Sequence, residues 1–372
     1  MELADALRCA ADAGSTIALG GAFSKRLMAG PAHPAGTTIS AASLNRILKY
    51  KPRDLTISVE AGIRFADLSR ELAANRQMIP LDPPFSDHAT IGGILAANMS
   101  GPRRRLYGTA RDLVIGMKFA TLEGKLVESG GMVVKNVAGL DTAKLMIGSF
   151  GTLAAIAVAN FKLVPIPPGS RTLVLAYSSL EEAIAARDVI TRGVLQPSAV
   201  DLLDPRAAAR IGYEGFVLLV RAAGNHAVLD RYSRELPAAS ALEGEAEDAL
   251  WRRVQNFTPD FLSANPNGAV VRASCLLSEM RTVVRSIAAP VVARAGSGVI
   301  YAYFADWREA GKWMSEAAAR GWKRVIEFAP DHAKNDLDLW PAAGSDIEMM
   351  GRLKRLFDPR GLLNPGRLYG RI

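Results

Sequence analysis

Residues 82–101 read Asp82-Pro83-Pro84-Phe85-Ser86-Asp87-His88-Ala89-Thr90-Ile91-Gly92-Gly93-Ile94-Leu95-Ala96-Ala97-Asn98-Met99-Ser100-Gly101. Glycines here let the backbone approach a ligand and turn its N–H groups outward, while Thr90, Asn98 and Ser100 add hydroxyls and an amide. Similar glycine-bearing segments lie on either side. Gly20-Gly21-Ala22-Phe23-Ser24-Lys25 follows the short apolar run Ser15–Leu19. Tyr107-Gly108, Lys135-Asn136-Val137-Ala138-Gly139-Leu140-Asp141 and Gly148-Ser149-Phe150-Gly151-Thr152-Leu153 come after. Any one of them reads as an ordinary tight turn. Together, with almost no catalytic residue types between them, they point to an extended phosphate-bearing cofactor.

Composition narrows the class. The chain has 372 residues, 49% hydrophobic and 22% charged, which predicts a large core and more than one domain. No apolar stretch predicts a transmembrane helix, and the N-terminus lacks the apolar region of a signal peptide. The two cysteines, Cys9 and Cys275, form no CxxC and no disulfide framework. The expectation is a cytoplasmic protein in a reducing compartment. The net charge of +8 is scattered. Its densest knot, Arg103-Arg104-Arg105, has no interleaved aromatics, so no nucleic acid is expected as a partner. That knot reads either as a solvated loop or as a contact for a carboxylate, a cofactor phosphate or an anionic membrane.

Familiar catalytic signatures are missing. There is no GxGxxG after a strand, no P-loop, no HExxH, no paired CxxC and no GxSxG. No metal site is predicted. The four histidines, His33, His88, His226 and His332, are far apart in sequence and read as structural or exposed.

The run Pro165-Ile166-Pro167-Pro168-Gly169 breaks the chain in two. Before it, Leu55–Val59 and Leu153–Val164 read as strands, Phe65–Asn75 as a helix, and Leu113–Thr121 with Leu126–Glu128 as a hairpin. After it, strands are predicted at Thr172–Tyr177, Val200–Leu203, Phe216–Arg221, Ala269–Leu276, Gly298–Phe304 and Arg324–Phe328. Helices are predicted at Leu180–Arg192, Asn225–Glu235, Glu245–Val254, Ser278–Ile287 and Asp306–Arg320, and a last one at Ile347–Phe357. The fold class is α+β. Gly244–Asp248 with Trp251 reads as an exposed helix start with an aromatic anchor. Tyr301 and Tyr303 share a strand face, which either packs or lines a pocket. Lys135 reads as either cofactor-proximal or surface.

The order GGAFSK, DPPFSDHATIGGILAANMSG, YGTARDLVIG, KNVAGLD and IGSFGTLAAI resembles the FAD-binding (PCMH-type) domain of the vanillyl-alcohol oxidase superfamily. The tail FDPRGLLNPGRLYG resembles the C-terminal return segment of its D-2-hydroxyacid dehydrogenase branch. Within that branch the likeness is greatest to the FAD-binding E subunits of glycolate oxidase. The resemblance implies an FAD-binding domain at 1–168, an α+β cap domain at 169–345 and a segment at 346–372 that packs back on the FAD domain. It implies FAD as cofactor, a small 2-hydroxyacid as substrate of the assembly, and a catalytic FAD subunit and an iron–sulfur subunit as partners. It extends to peripheral association with the inner face of a membrane through the complex.

Roles follow residue by residue from the resemblance. Gly20, Gly21, Ala22, Phe23 and Ser24 match the pyrophosphate loop. Thr90, Ile91, Gly92 and Gly93 match the second flavin segment. Asn98, Ser100, Gly101, Tyr107 and Gly108 match the stretch past the ribityl chain and isoalloxazine. Gly151 and Ile156 match the segment beside the adenine, and Asn364 the tail residue that returns to the flavin.

The departures from the pattern shape the functional expectation. Covalent members carry a histidine in the first loop and GGAFSK has none, so the FAD is expected to be non-covalent. Leu140 stands where KNVAGYD has its aromatic. Gly296-Ser297-Gly298-Val299-Ile300-Tyr301 stands where catalytic relatives carry GDGNLH, so Ser297, Val299 and Tyr301 replace an acid, an amide and a histidine. No EHG occurs, and the later acid that comes nearest to that pattern is Glu327, followed by Phe328. Oxidising a hydroxyacid requires a base for the hydroxyl proton. None is recognisable at the matching positions, so no catalytic residue is assigned. Two cysteines are too few for an iron–sulfur cluster. An accessory FAD subunit is the leading reading. A self-sufficient FAD-dependent D-2-hydroxyacid dehydrogenase and a flavin-less structural subunit are the alternatives.

Overall fold

A computed structural model describes residues 2–133, 141–341 and 343–372. Of the Lys135–Asp141 motif only Asp141 falls within the described residues, so the expectations at Lys135 and Leu140 lie outside them. The chain forms two compact units. The first comprises Met1–Ser100, Gly108–Ile166 and Ala343–Ile372, and the second Gly101–Tyr107 with Pro167–Ala342.

Among the described residues the first unit holds a five-stranded antiparallel sheet. Its order is Ile47–Lys51, Thr56–Glu60, Ala155–Lys162, Val114–Ala120 and Leu126–Gly130. Thr56–Glu60 is buried at every position, and Ala155–Lys162 at all but its last. That burial explains the apolar run of Ala155–Lys162, whereas Thr56–Glu60 alternates polar and apolar residues and buries Thr56, Ser58 and Glu60 as well. A separate parallel pair joins Ile17–Gly20 to Thr37–Ser40. The helix Glu2–Asp12 buries Leu3, Leu7, Ala10 and Ala11 against Ile17, Ile39, Leu122 and Leu363. The i, i+4, i+7 spacing of those residues was the signal for this helix, which the sequence reading passed over.

The tail closes the first unit. Ile17 N donates to Leu362 O at 2.8 Å and Asn364 N to Ile17 O at 2.9 Å, so residues 362–364 run parallel beside the first strand. The turn before them is held by Asp358, whose carboxylate accepts from Leu362 N at 3.0 Å and Leu363 N at 2.7 Å. Lys354 binds Asp358 at 2.6 Å and the carbonyls of Thr152 and Leu363 at 2.8 Å each.

The second unit, among the described residues, is an eight-stranded antiparallel sheet. Its order is Ser240–Leu242, Gly169–Tyr177, Phe216–Gly224, Ala199–Leu203, Val291–Arg294, Val299–Phe304, Ala269–Ser274 and Lys323–Phe328. Helices Leu180–Arg192, His226–Glu235, Gly244–Ala264 and Trp307–Ala319 pack on it through their apolar stripes.

Helix Gly244–Ala264 differs from expectation in two ways. It passes through Pro259 instead of ending near Val254, because Phe257 and Phe261 are buried against Tyr303, with ring centroids 4.6 and 5.2 Å away. Its acidic start is also not all exposed. Glu247 is buried, accepting from Thr172 Oγ1 at 2.7 Å and Arg221 Nε at 3.0 Å, with Ser170 as a further partner. Trp251 anchors the same corner, donating from Nε1 to Thr172 Oγ1 at 2.7 Å.

Candidate functional site: a cationic cleft in the first unit

A cleft of about 460 Å³ opens in the first unit, within the size range of small-molecule sites. Its floor is the loop that leaves strand Ile17–Gly20. Ala41 N donates to Gly20 O at 2.8 Å and Ser40 Oγ to Gly21 O at 3.0 Å, fixing the start of the loop. A side chain at Gly20 would strike the ring of Phe23, whose nearest atom is 2.6 Å from the ideal Cβ position. Phe23 itself adopts φ +50°. At Gly21 a Cβ would overlap the Thr90 side chain.

Thr90 caps the helix Ile91–Ala96, accepting from Gly93 N at 3.3 Å. Gly92 N donates to Ala61 O at 2.7 Å, and a Cβ there would come 3.0 Å from the Ala61 methyl. The third wall is Phe150, Gly151, Ala154 and Ile156, with φ +54° at Phe150 and +68° at Gly151. The tail supplies Asn364, Pro365 and Arg367. Arg367 donates to Arg26 O at 3.1 Å and Lys25 O at 3.4 Å, and also to Gly30 O, so its guanidinium braces the loop.

The electrostatics are one-sided. Lys25, Arg26, Arg367 and His33 line the cleft, and no carboxylate does among the described residues. Lys25 Nζ has the Ser24 hydroxyl at 3.4 Å and lies 3.7 Å from where a Gly93 Cβ would stand. Burial pulls its ammonium down from 10.5 to about 8. Cationic groups and close-approaching glycines fit an elongated anionic ligand, and a flavin dinucleotide has that character through its diphosphate.

Of the predicted site residues, the structure gathers Gly20, Gly21, Ala22, Phe23, Ser24, Thr90, Gly92, Gly93, Gly151, Ile156 and Asn364 around this cleft. Ile91 is fully buried in the core beneath it. Asn98, with φ +48°, and Ser100 and Gly108 lie outside the lining, and Gly101 and Tyr107 fall in the second unit. Sequence reasoning left out Lys25, Arg26, His33, Phe150 and Arg367. For Lys25 and Arg367 the signal was adjacency, since they directly follow GGAFS and NPG.

In the second unit the positions expected to have lost substrate chemistry form a buried polar row. Tyr301 pairs across the sheet with Arg272, and Arg294 lies 5.5 Å from its ring centroid. Glu327 accepts from Arg272 Nε at 2.9 Å, and Arg294 is paired with Asp201. Burial raises the Glu327 carboxyl above its ordinary value, with Arg272 opposing. Tyr303 packs against helix Gly244–Ala264 and shares a hydrogen bond of 3.0 Å with Thr258.

Arg105 lies on the short helix Arg104–Tyr107 and is engaged by the protein itself. It donates to Pro197 O at 2.9 Å and Gln196 Oε1 at 3.3 Å, and its side chain occupies the space that Gly296 leaves open. No group of three or more potential metal ligands occurs among the described residues, and no helix there is long and apolar enough to cross a membrane.

Comparison with known proteins adds independent information. Residues 1–130 match the FAD binding domain family, and residues 342–368 match the C-terminal domain of FAD linked oxidases. Among similar proteins, glycolate oxidase subunit GlcE of Escherichia coli K12 is 29% identical, over 91% of this chain and 88% of its own. Glycolate oxidase subunit GlcD of Bacillus subtilis 168 is 26% identical, over 88% and 78%. The D-lactate dehydrogenase of Anaerostipes hadrus is 26% identical, over 90% and 80%. Among solved structures, an alkyldihydroxyacetonephosphate synthase superposes with TM-score 0.74 at 17% identity, covering 98% of this chain and 74% of its own. A 4-ethylphenol oxidase from Gulosibacter chungangensis gives 0.73 at 13%, covering 99% and 87%.

Proposed function

The chain is an FAD-linked oxidoreductase with the PCMH-type α+β fold, and on that premise we propose that it is the non-covalent FAD subunit of a multi-subunit glycolate oxidase. In this reading a catalytic sister FAD subunit and an iron–sulfur subunit are its partners. Residues 1–168 hold the cofactor, 169–345 serve as the cap, and 346–372 complete the FAD domain. The complex works in the cytoplasm at the inner face of the membrane. A bound flavin supplies the two-electron acceptor for oxidation of glycolate to glyoxylate.

This chain's residues supply binding and positioning. Gly20, Gly21, Ser24, Thr90, Gly92 and Gly93 line the cleft with small side chains that let a ligand approach the backbone, while Gly151, Ile156 and Asn364 close the far wall. The stretch Asn98–Gly108 is assigned to the flavin by resemblance alone.

The observation that carries the accessory reading is the state of Glu327. It is the acid on the strand Lys323–Phe328 of the same buried polar row, and it is held by Arg272 rather than standing free to take a proton. The same residue favours a second reading. A buried carboxyl with a raised pKa is a candidate base if Arg272 swings away, which would make the chain a dehydrogenase in its own right.

Visible absorbance of the purified chain, before and after anaerobic glycolate, separates the readings. A yellow protein that stays yellow supports the accessory subunit. Bleaching overturns it in favour of the second reading. Protein that remains colourless after coexpression with its partners and addition of FAD overturns both.

A further inference from the structure

Among the described residues, no acid shares the cleft with Lys25. Its neighbours in the cleft are Arg26 beside it in the chain, Arg367 from the tail and His33 from the following loop. Ser24, at 3.4 Å, is neutral. Gly93 faces it from the second segment with no side chain to offer. No acid lines the cleft among the described residues, and desolvation is what lowers the ammonium's pKa. Lys25 is half-buried, and an ammonium so largely withdrawn from water without an anion is costly and ordinarily either pairs or gives up its proton. Arg367 does not relieve this, since it bonds the carbonyls of Lys25 and Arg26, holding the loop so that Nζ points inward.

We propose that Lys25 is the charged partner of the cofactor's diphosphate, so that the chain selects a flavin dinucleotide by charge and binds it most tightly while this one ammonium is protonated. The inference deepens the flavin reading and rests on it. Backbone N–H groups alone would bind a diphosphate with little dependence on pH across the neutral and mildly alkaline range. A lysine whose free-state pKa lies at about 8 gives a different profile. The ammonium form binds, and binding raises its pKa. Below that value affinity is flat. Above it the Kd for FAD rises by up to about tenfold per pH unit, until the raised pKa of the complex is passed.

The test is flavin binding to the full-length chain stripped of cofactor, followed by equilibrium dialysis and flavin fluorescence, with FAD and riboflavin as probes. Lys25→Met removes the charge and keeps the stem, and Lys25→Arg restores a charge that does not titrate. Lys25→Met is expected to raise the Kd for FAD about tenfold to a hundredfold, the range for losing a charged hydrogen bond. Riboflavin, which lacks phosphate, should be affected less than about twofold on the same reasoning. Lys25→Arg should recover most of the FAD affinity and flatten the alkaline limb.

Equal FAD affinity in wild type and Lys25→Met overturns the role of Lys25 while leaving the flavin reading intact. Equal losses for FAD and riboflavin overturn it too, because the lysine would then act through cleft shape. Wild-type protein that binds no FAD at any pH overturns both inference and reading. Should Lys25→Met fail to fold, the wild-type profile decides alone: a flat Kd from neutral pH to about pH 10 overturns the proposal.

Discussion

The side-chain amide of Asn364 bonds the backbone of Leu19 in both directions. Leu19 N donates to Oδ1 at 2.8 Å, and Nδ2 donates to Leu19 O at 3.0 Å and to Phe150 O at 2.8 Å. One residue of the tail thereby ties the first strand to the Phe150–Gly151 turn, the two walls of the cleft. Its backbone sits at φ +45°, a region asparagine tolerates better than most residues. Asn364 therefore builds the cleft through the protein's own backbone. Asn364→Ala strands Leu19 N–H and two carbonyls. It should lower stability by about 2–3 kcal/mol in urea unfolding. Asn364→Asp keeps the acceptor and loses the donors, so it should fall between wild type and Ala.

Gly21→Ala tests the close approach of the two glycine segments. Its Cβ would meet Thr90 Oγ1, Cγ2 and Cβ together, so no rotamer of Thr90 relieves the overlap. Thr90 is itself buried and caps the next helix. The loop must shift, at a cost of about 1–3 kcal/mol. Flavin retention measured by the absorbance ratio should drop with it. Gly131→Ala, where a Cβ meets nothing among the described residues, is the matched control and should leave both unchanged.

Glu60 predicts a pH dependence of stability. Hydrogen bonds from Arg46, at 2.8 Å from its backbone N and 2.8 Å from Nη2, hold the Glu60 carboxyl below its ordinary 4.5, against the opposing effect of burial. A depressed folded pKa stabilises fully above the ordinary value and is lost as pH falls through the lower one. The melting temperature of Glu60→Gln should therefore trail wild type at neutral pH. The gap should close as pH drops from about 5 toward 3.

The two cysteines should differ in reactivity. Cys9 is exposed, whereas burial pushes the Cys275 thiol up to about 11, with Glu279 adding to the shift and Arg187 opposing it. At pH 8 about a thousandth of Cys275 is thiolate. A disulfide reagent should titrate one thiol quickly in the native protein and the second only after denaturation. Cys9→Ser should remove the fast phase.

Where burial is complete or alternates along an element, the sequence was readable. Helix Leu180–Arg192 and strand Phe216–Gly224 carry their periodicity in full, and Ala155–Lys162 its unbroken apolar run. The glycine segments were readable for a different reason, since close backbone approach admits few other residues. What local sequence alone determined is therefore the α+β class, most elements of regular structure and the glycine loops around the cleft. Tertiary structure decided the rest, because those features depend on which distant groups meet. Helix Gly244–Ala264 survives Pro259 only because Tyr303 packs against its next turn. Glu247 is buried because Thr172 and Arg221 from two strands converge on it. Arg105 is taken up by Pro197 and Gln196. Lys25 stands alone because the fold brings Arg26, Arg367 and His33 around it and no acid among the described residues. A local pattern records how a segment is buried. Charge balance and hydrogen-bond partners come from segments hundreds of residues apart, so only the folded chain fixes them.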